Sequence, residues 1–194
     1  MDNSNKVPDF LSMAKELTAN AQRYAGSESV KFFKESFVKE GFTDTSFTAW
    51  KKTSIPMAGK RTLYNKGILM QSVRKVEQNK QRIVVESNTD YSEIHNNGGT
   101  ITVTPQMKRF FWAKYYELSG KVKQTSTGKA SRSKSNVKTS AKAEFCKRMA
   151  LMKVGTKIKI PQRQFMGNSQ TMMNDFDSFW QGSVDVVFKQ HLNK

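Results

Sequence analysis

Apolar residues near the start of the chain recur at steps of three and four, which is the spacing of one face of an α-helix. The pattern predicts a first helix over residues 8–24. Gly26 and Ser27 then interrupt it. Because serine caps helix starts well and glycine favours helix ends, we expect a second helix from Ser27 or Ser29 to Gly41.

An aromatic cluster follows the second predicted helix, at Phe42, Phe47 and Trp50. Aromatic side chains bury large apolar areas in protein interiors. We therefore expect all three rings to belong to the core.

Runs of β-branched and alternating residues indicate strands in the middle of the chain. Two strands are predicted at residues 69–77 and 82–87, on either side of a turn at residues 78–80. A third strand is predicted at residues 100–104, and Pro105 either ends it or opens the next helix.

The second half of the chain mixes both periodicities. Helices are predicted at residues 106–118 and 144–152, and a strand at residues 157–160. The chain finishes with amphipathic helix over residues 174–180 and 183–192. This order favours an α+β fold, a small antiparallel β-sheet packed by N- and C-terminal helices. A chain of 194 residues has the usual size of one domain, so we expect residues 1–194 to form a single domain.

A basic stretch at residues 119–143 interrupts this plan as a long loop insertion. It contains seven Lys or Arg, nine Ser or Thr and no Asp or Glu. Such a composition buries too little apolar surface to offset the entropy lost on ordering, so we expect a mobile loop or arm. Its candidate residues for contact with DNA or an acidic partner are Lys121, Lys123, Lys129, Arg132, Lys134, Lys138 and Lys142.

The whole chain is also strongly basic, with 33 Lys and Arg against 16 Asp and Glu and a formal net charge of +17. Such an imbalance favours a polyanionic partner or an acidic protein neighbour. Seven charges of the arm that met phosphates would bind nucleic acid without sequence preference and with steep salt dependence. The alternative is a solvated loop that has no partner.

Aromatic and basic residues also lie side by side in the helix predicted before the arm. Phe110, Phe111 and Trp112 beside Lys108 and Arg109 could stack on bases. Packing of these rings in the protein interior is the favoured alternative.

Residues capable of enzyme chemistry are scarce. The single cysteine, Cys146, excludes an internal disulfide framework and a Cys-rich zinc site, and it suits synthesis in a reducing cytoplasm. The chain has no apolar run of the ~20 residues that a membrane helix needs. Its polar start does not resemble a signal peptide, so we expect the mature protein to be the whole chain.

Common nucleotide-binding, zinc-protease and serine-hydrolase motifs are absent from the sequence. We therefore predict no enzyme activity, no catalytic or metal-binding residue and no cofactor. A nuclease is a remote alternative, because the 16 acids form no cluster with metal-ligand spacing.

Two short segments carry the most specific signal: YSEIHNNGGTI at residues 91–101 and KIPQRQFMGNS at residues 159–169. In the first, Tyr91 and Ile94 are expected to pack inward, Asn97 to tolerate a left-handed backbone, and the glycine pair to turn the chain into the next strand. His95 lacks the partner residues that catalysis or a metal site would need.

The second segment is interpreted as a structural corner. Pro161 fixes the backbone where the strand ends, and Phe165 with Met166 anchors in apolar pockets. Arg163 either anchors the turn or contacts a neighbouring subunit, for which its planar donor fork is suited.

Together the two segments resemble the virion morphogenesis family of tailed bacteriophages, the phage Mu G protein-like tail completion and head–tail junction proteins. The matching residues are Tyr91, Ile94, His95, Asn96, Gly98, Gly99, Ile160, Pro161, Arg163, Phe165, Met166 and Gly167. An amphipathic start ending near Trp50 and the run Gly67 to Leu69 with Ser72, which leads into a hairpin, fit the same plan.

The resemblance implies a structural virion protein that forms a closed homo-oligomeric ring, hexameric or dodecameric, at the head–tail junction or the top of the tail. The ring would join the tail to the connector around the DNA passage. Its partners would be neighbouring connector and tail proteins and packaged double-stranded DNA, without a membrane. It would be made in the bacterial host cytoplasm and end in the virion. The alternative is a sequence-nonspecific nucleic-acid-binding protein that acts outside the virion.

Overall fold

The computed structural model describes residues 9–53, 55–59, 61–79 and 81–192. The chain divides into two compact units, each assembled from separate stretches of sequence. Unit 1 comprises Met1–Trp50, Lys66–Ser92 and Arg163–Lys194, and unit 2 comprises Lys51–Asn65 and Glu93–Gln162. Interleaved units of this kind can belong to one domain or to two, so the single domain stays a prediction.

The fold is α+β, as predicted. The helices are α1 Phe10–Lys39, α2 Ile68–Ser72, α3 Ser92–Asn97, α4 Pro105–Ser119, α5 Lys134–Leu151 and α6 Gln170–Leu192. The strands are β1 Gly41–Thr43, β2 Phe47–Ala49, β3 Val73–Gln78, β4 Ile83–Ser87, β5 Gly99–Thr102 and β6 Lys157–Ile160. They form three antiparallel two-stranded sheets, β1–β2, β3–β4 and β5–β6, where one sheet was predicted.

The N-terminal helix runs through the glycine that was predicted to break it. α1 is one helix of 30 residues, so the prediction of two helices is wrong. Glycine in a helix interior costs about 1 kcal/mol relative to alanine. At Gly26 a Cβ would lie 2.9 Å from Cδ of Lys75 in β3, so the missing side chain leaves room for the Lys75 side chain. α1 ends before Glu40, which adopts a left-handed φ of 53°.

The core of unit 1 contains three aromatic rings from distant parts of the sequence. Phe37 of α1 lies 5.5 Å from Trp50 and 4.9 Å from Phe165, measured between ring centroids. Phe37 is fully buried and Phe165 is 1% exposed. The indole N–H of Trp50 donates to the carbonyl oxygen of Gln164 at 2.7 Å. The polar end of this buried ring is therefore satisfied.

The predicted aromatic cluster after α1 is only partly buried. Phe42 and Trp50 belong to the core, but Phe47 is 50% exposed, so its assignment to the core is wrong. Phe47 begins the short edge strand β2, and a Cβ at Gly41 would lie 2.4 Å from its ring. The ring thus covers a glycine of the neighbouring strand, with its other face in solvent.

The hairpin of unit 1 differs from its prediction at the start. Residues 69–72 form the end of α2 instead of strand, because Gly67 enters a left-handed turn at φ 76° and the hydroxyl of Ser72 donates to the carbonyl oxygen of Leu69 at 2.7 Å. β3 then begins at fully buried Val73. β4 agrees with the predicted second strand. Lys80 of the predicted turn lies outside the described residues.

The C-terminal helix is also longer than predicted. α6 is continuous where two helices were expected. A Cβ at Gly182 would meet nothing within 4 Å, so this glycine neither breaks the helix nor provides a close contact. Asp44 contacts the start of the helix, where its carboxylate accepts from the backbone N–H of Gln170 at 2.9 Å. α6 packs along α1, where Tyr24 stacks on Phe179.

Unit 2 contains two antiparallel strands and a pair of packed helices. α4 and α5 contact each other along their lengths, and β5 pairs with β6. Pro105 opens α4, as one of its two predicted roles, and the hydroxyl of Thr104 caps the helix by accepting from the backbone N–H of Met107 at 3.1 Å. The helix predicted at residues 144–152 is the second half of α5, which starts ten residues earlier.

Candidate polyanion-binding surface

The positive charge of the chain lies almost entirely in unit 2. The sequence stretches of unit 2 contain 19 of the 33 Lys and Arg residues but only 3 of the 16 Asp and Glu residues, a formal charge of +16. Those of unit 1 contain 14 basic and 13 acidic residues, a formal charge of +1. The net charge of +17 is therefore a property of one unit and not of the protein surface as a whole.

Acidic side chains neutralise little of this charge. In unit 2 Glu117 binds two lysines, with its carboxylate oxygens 2.7 Å from Nζ of Lys114 and 2.8 Å from Nζ of Lys121. The hydrogen bonds from Lys114 and then Lys121 lower the pKa of Glu117 from 4.5 to about 2. The other two acids, Glu93 and Glu144, cannot balance the remaining cations of the unit.

The predicted arm is a folded connection followed by helix. Lys121, Lys123, Lys129 and Arg132 lie exposed between α4 and α5, and Lys134, Lys138 and Lys142 lie on α5 itself. The prediction of a mobile loop is therefore wrong for residues 134–143. Lys134, Lys138 and Lys142 follow one another at steps of four, so they form a row along one face of α5, with a rise of about 6 Å per step.

Asn136 organises the connection between the two helices. Its side chain is 4% exposed; it accepts from the backbone N–H of Lys123 at 2.7 Å and donates to the carbonyl oxygen of Ser131 at 2.6 Å. Ser133 caps α5 by accepting from the backbone N–H of Asn136 at 3.3 Å. A Ser cap before Val137, Ala143 and Cys146 was a helix signal that composition alone obscured.

The aromatic and basic helix α4 presents rings on two sides. Phe111 contacts Phe145 of α5 at 6.1 Å between ring centroids. This side of α4 therefore packs against α5, which agrees with the packing alternative that the sequence favoured. Phe110 is 52% exposed and Tyr116 66% exposed. Tyr116 is stacked on Trp112 at 5.8 Å. The exposed side of α4 thus keeps the base-stacking alternative open.

Twelve of the nineteen basic residues of unit 2 lie outside the arm. Apart from Lys108 and Arg109, sequence reasoning missed these residues as a group, although pairs at Lys51 and Lys52 and at Lys147 and Arg148 were visible in the sequence. The exposed side chains of Lys157 and Lys159 alternate along β6. The arm therefore holds fewer than half of the basic residues of unit 2.

The two motif segments meet in unit 2. Gly99 pairs with Ile160 in the β5–β6 ladder. Beside this pair, Gly98 has a φ of +72°, and a Cβ on it would lie 2.8 Å from the backbone nitrogen of Gln162. The sharp turn predicted for the glycine pair is confirmed, and its reason is the close approach of the second segment.

Other residues of the first motif segment depart from their predicted positions. Tyr91 is 43% exposed and Ile94 half-buried, so the inward packing of Tyr91 is wrong. Asn97 ends α3 without a positive φ; only the glycines after it adopt one. His95 and Asn96 are half-buried on α3.

The end of the second segment lies in unit 1. Phe165 is core, as expected, and Met166 is half-buried. Arg163 is 7% exposed, and burial lowers the pKa of its guanidinium. Pro161 follows β6 directly, and Gly167 has a φ of +146°.

The described residues contain neither a metal-binding cluster nor a membrane-spanning helix. Among those residues, no three His, Cys, Asp or Glu side chains are placed to hold a metal ion. Nor does any described helix have the length and apolar character to cross a membrane. Comparison with known proteins found no matching family model, curated protein or solved structure.

Proposed function

We propose that the chain is a structural, non-enzymatic subunit of a tailed-bacteriophage virion, and that it assembles into a closed ring at the head–tail junction or tail top. In this proposal unit 2 faces the DNA passage and touches the phosphates of packaged double-stranded DNA. The observation that carries the DNA role is the charge of unit 2, where 19 basic residues stand against 3 acids.

The virion role draws on the resemblance of the two motif segments, and their meeting in one ladder supports it. A fold hallmark should hold distant parts of the chain together, and Gly98 and Gly99 do so with Gln162 and Ile160. None of these contacts provides a nucleophile, a general base or a metal ligand. The motif thus has an architectural use and no evident chemical one.

A chain that contains one near-neutral unit and one basic unit also suits a ring around DNA. Copies that each presented a charge of +16 to one another would repel, whereas unit 1 offers a surface with nearly balanced charge. Unit 1 also exposes apolar side chains on α6, including Trp180 at 44% and Val186 at 54%. Contacts between copies would then use unit 1 and leave the cations of unit 2 for DNA.

The test begins with purified particles and the purified full chain. Mass spectrometry of virions should detect the chain, and native mass spectrometry with electron microscopy should detect closed rings, alone or with connector proteins. The chain should bind duplex DNA without sequence preference, with a Kd of about 1–100 μM at physiological salt. Absence from particles together with a failure to form rings would refute the virion role.

The second candidate is a nucleic-acid-binding protein that acts outside the virion, and the same charge favours it. It predicts salt-sensitive duplex binding by a monomer that is missing from purified particles. Deleting residues 121–142 is a poor test of either function, because it removes buried Asn136 and half of α5. Single charge-removing substitutions keep the helix and are preferable.

A further inference from the structure

We propose that a groove in unit 2, between α5 and residues 56–59 and 61–65, binds a phosphodiester of a nucleic-acid strand. The inference rests on the proposed contact between unit 2 and DNA and assigns that contact a defined place. The groove has a volume of about 800 Å³. Its lining residues are Pro56, Met57, Ala58, Gly59, Arg61, Tyr64, Asn65, Lys138, Ala141 and Lys142.

The charge of the groove selects an anion. Its lining includes three cations, Arg61, Lys138 and Lys142, and no carboxylate. Within the described residues none of the three forms an ion pair. An anion bound in the groove would therefore be attracted by all three cations without having to displace a carboxylate of the protein.

Arg61 is held in a geometry suited to a phosphate. Its guanidinium carbon lies 4.2 Å from the centroid of the Tyr64 ring, so the guanidinium is fixed by the aromatic face. A guanidinium in such a contact still presents N–H groups that can donate in pairs to a phosphate. Fixing the side chain beforehand lowers the entropy that binding would otherwise cost.

The wall that carries Arg61 is anchored to α5. The thiol of Cys146 donates to the sulfur of Met57 at 3.2 Å, and Cys146 is fully buried. Thr62, next to Arg61, is 4% exposed. At Gly59 a Cβ would lie 2.4 Å from the carbonyl oxygen of Tyr64, so the chain folds back on itself here. The groove is thus formed before any ligand arrives.

A strand of nucleic acid fits this site better than an isolated carboxylate. Lys138 and Lys142 continue the row that starts at Lys134, so the groove lies at one end of a line of charges along α5. Successive phosphates of a strand can follow such a line, with one of them in the groove. A peptide carboxylate would use one of the three cations well and leave the others unpaired.

The experiment measures the affinity of the full chain for a fluorescent duplex by anisotropy over a range of salt concentrations. The double variant Lys138→Ala with Lys142→Ala is compared with Lys153→Ala with Lys157→Ala, which removes two exposed lysines of unit 2 outside the groove. The groove variant should lose two phosphate contacts. The slope of log K against log salt concentration should then become shallower by about 1.8, and binding should weaken about 30-fold at 0.15 M salt. The control pair should weaken binding less than about threefold.

Two further arms test the geometry and the ligand. Arg61→Ala should weaken binding about fivefold at 0.15 M salt, the share of one phosphate contact. Arg61→Lys keeps the charge but loses the planar fork, so it should weaken binding without changing the salt dependence. If the wild-type chain binds DNA and the two double variants lose the same affinity, the groove is overturned and the proposed function stays intact. If the wild-type chain binds no DNA, both the groove and the proposed contact between unit 2 and DNA are overturned. Binding of free pyrophosphate as tight as that of the duplex would overturn the assignment to a strand.

Discussion

The glycine turn of unit 2 provides a sharp test, because two glycines share a backbone conformation but not a neighbourhood. Gly98 has a φ of +72° and Gly128 a φ of +73°. A Cβ at Gly98 would lie 2.8 Å from the backbone nitrogen of Gln162, whereas one at Gly128 would meet nothing within 4 Å. Comparing Gly98→Ala with Gly128→Ala therefore separates the cost of the overlap from the cost of the left-handed backbone.

The two costs can be assigned from the structure. A left-handed backbone costs a residue with a Cβ about 1–2 kcal/mol, and both variants share this cost. Forcing an extra atom into a packed place costs about 1–3 kcal/mol more. Only Gly98 should show it, because the backbone of Gln162 follows β6, which the pairing of Gly99 with Ile160 holds in place. We expect a loss of about 2–5 kcal/mol for Gly98→Ala.

Urea unfolding followed by circular dichroism gives the free energy of unfolding of each variant. Because the two units can unfold separately, a probe within unit 2 is also needed. Cys146 provides it, since this buried thiol is the only cysteine of the chain and its labelling in urea reports the opening of unit 2. If both variants lose the same free energy to within about 0.5 kcal/mol, the close approach of the motif segments is not what requires a glycine.

Other side chains allow three further predictions. Phe165→Ala should destabilise unit 1 by about 3–5 kcal/mol in urea unfolding, whereas Phe10→Ala, at a ring 57% exposed, should cost less than about 1 kcal/mol; similar costs would contradict the core position of Phe165. Burial raises the pKa of the Cys146 thiol above its usual 9.0, so its contribution to stability is present below pH 9 and lost as the pH rises further. Cys146→Ala should flatten that alkaline decline in Tm; an unchanged decline would assign it to other groups. An NMR titration should find the pKa of Glu117 at about 2, moving upward with added salt because the group is exposed; a value near 4.5 at low salt would show that its lysine contacts do not persist in solution.

Sequence patterns predicted those helices and strands that depend on residues close together in the sequence. β4, β6 and α4 lie where alternation, periodicity and Pro105 indicated. The continuity of α1 was not predictable in this way, because the surroundings of Gly26 include the side chain of Lys75 from β3. Such a contact joins parts of the sequence that no window of neighbouring residues contains.

The prediction for the first half of α5 was wrong for a different reason. Composition correctly describes residues 119–143 as basic and rich in Ser and Thr, but composition does not record order. The capping of α5 by Ser133 and the buried side chain of Asn136 depend on the position of two residues. The helix start at Ser133 was therefore present in the sequence as a capping signal.

The candidate site was predictable in its chemistry and not in its location. Net charge indicated an anionic partner, and the arm supplied seven cations. The partition of charge between units depends on which stretches fold together, and the groove joins Arg61 to Lys138 across 77 positions of sequence. Neither fact follows from residue spacing.

The interleaving of the two units sets an order of events during synthesis. α1 is made early, but α6, on which it packs, emerges about 130 residues later. At 5–20 residues per second, this delay lasts roughly 6–26 seconds. Unit 2 is complete once Gln162 has been made, while α1 still lacks that cover. A nascent chain therefore offers the apolar face of α1 to chaperones and a finished basic unit to ribosomal RNA, the nearest large polyanion.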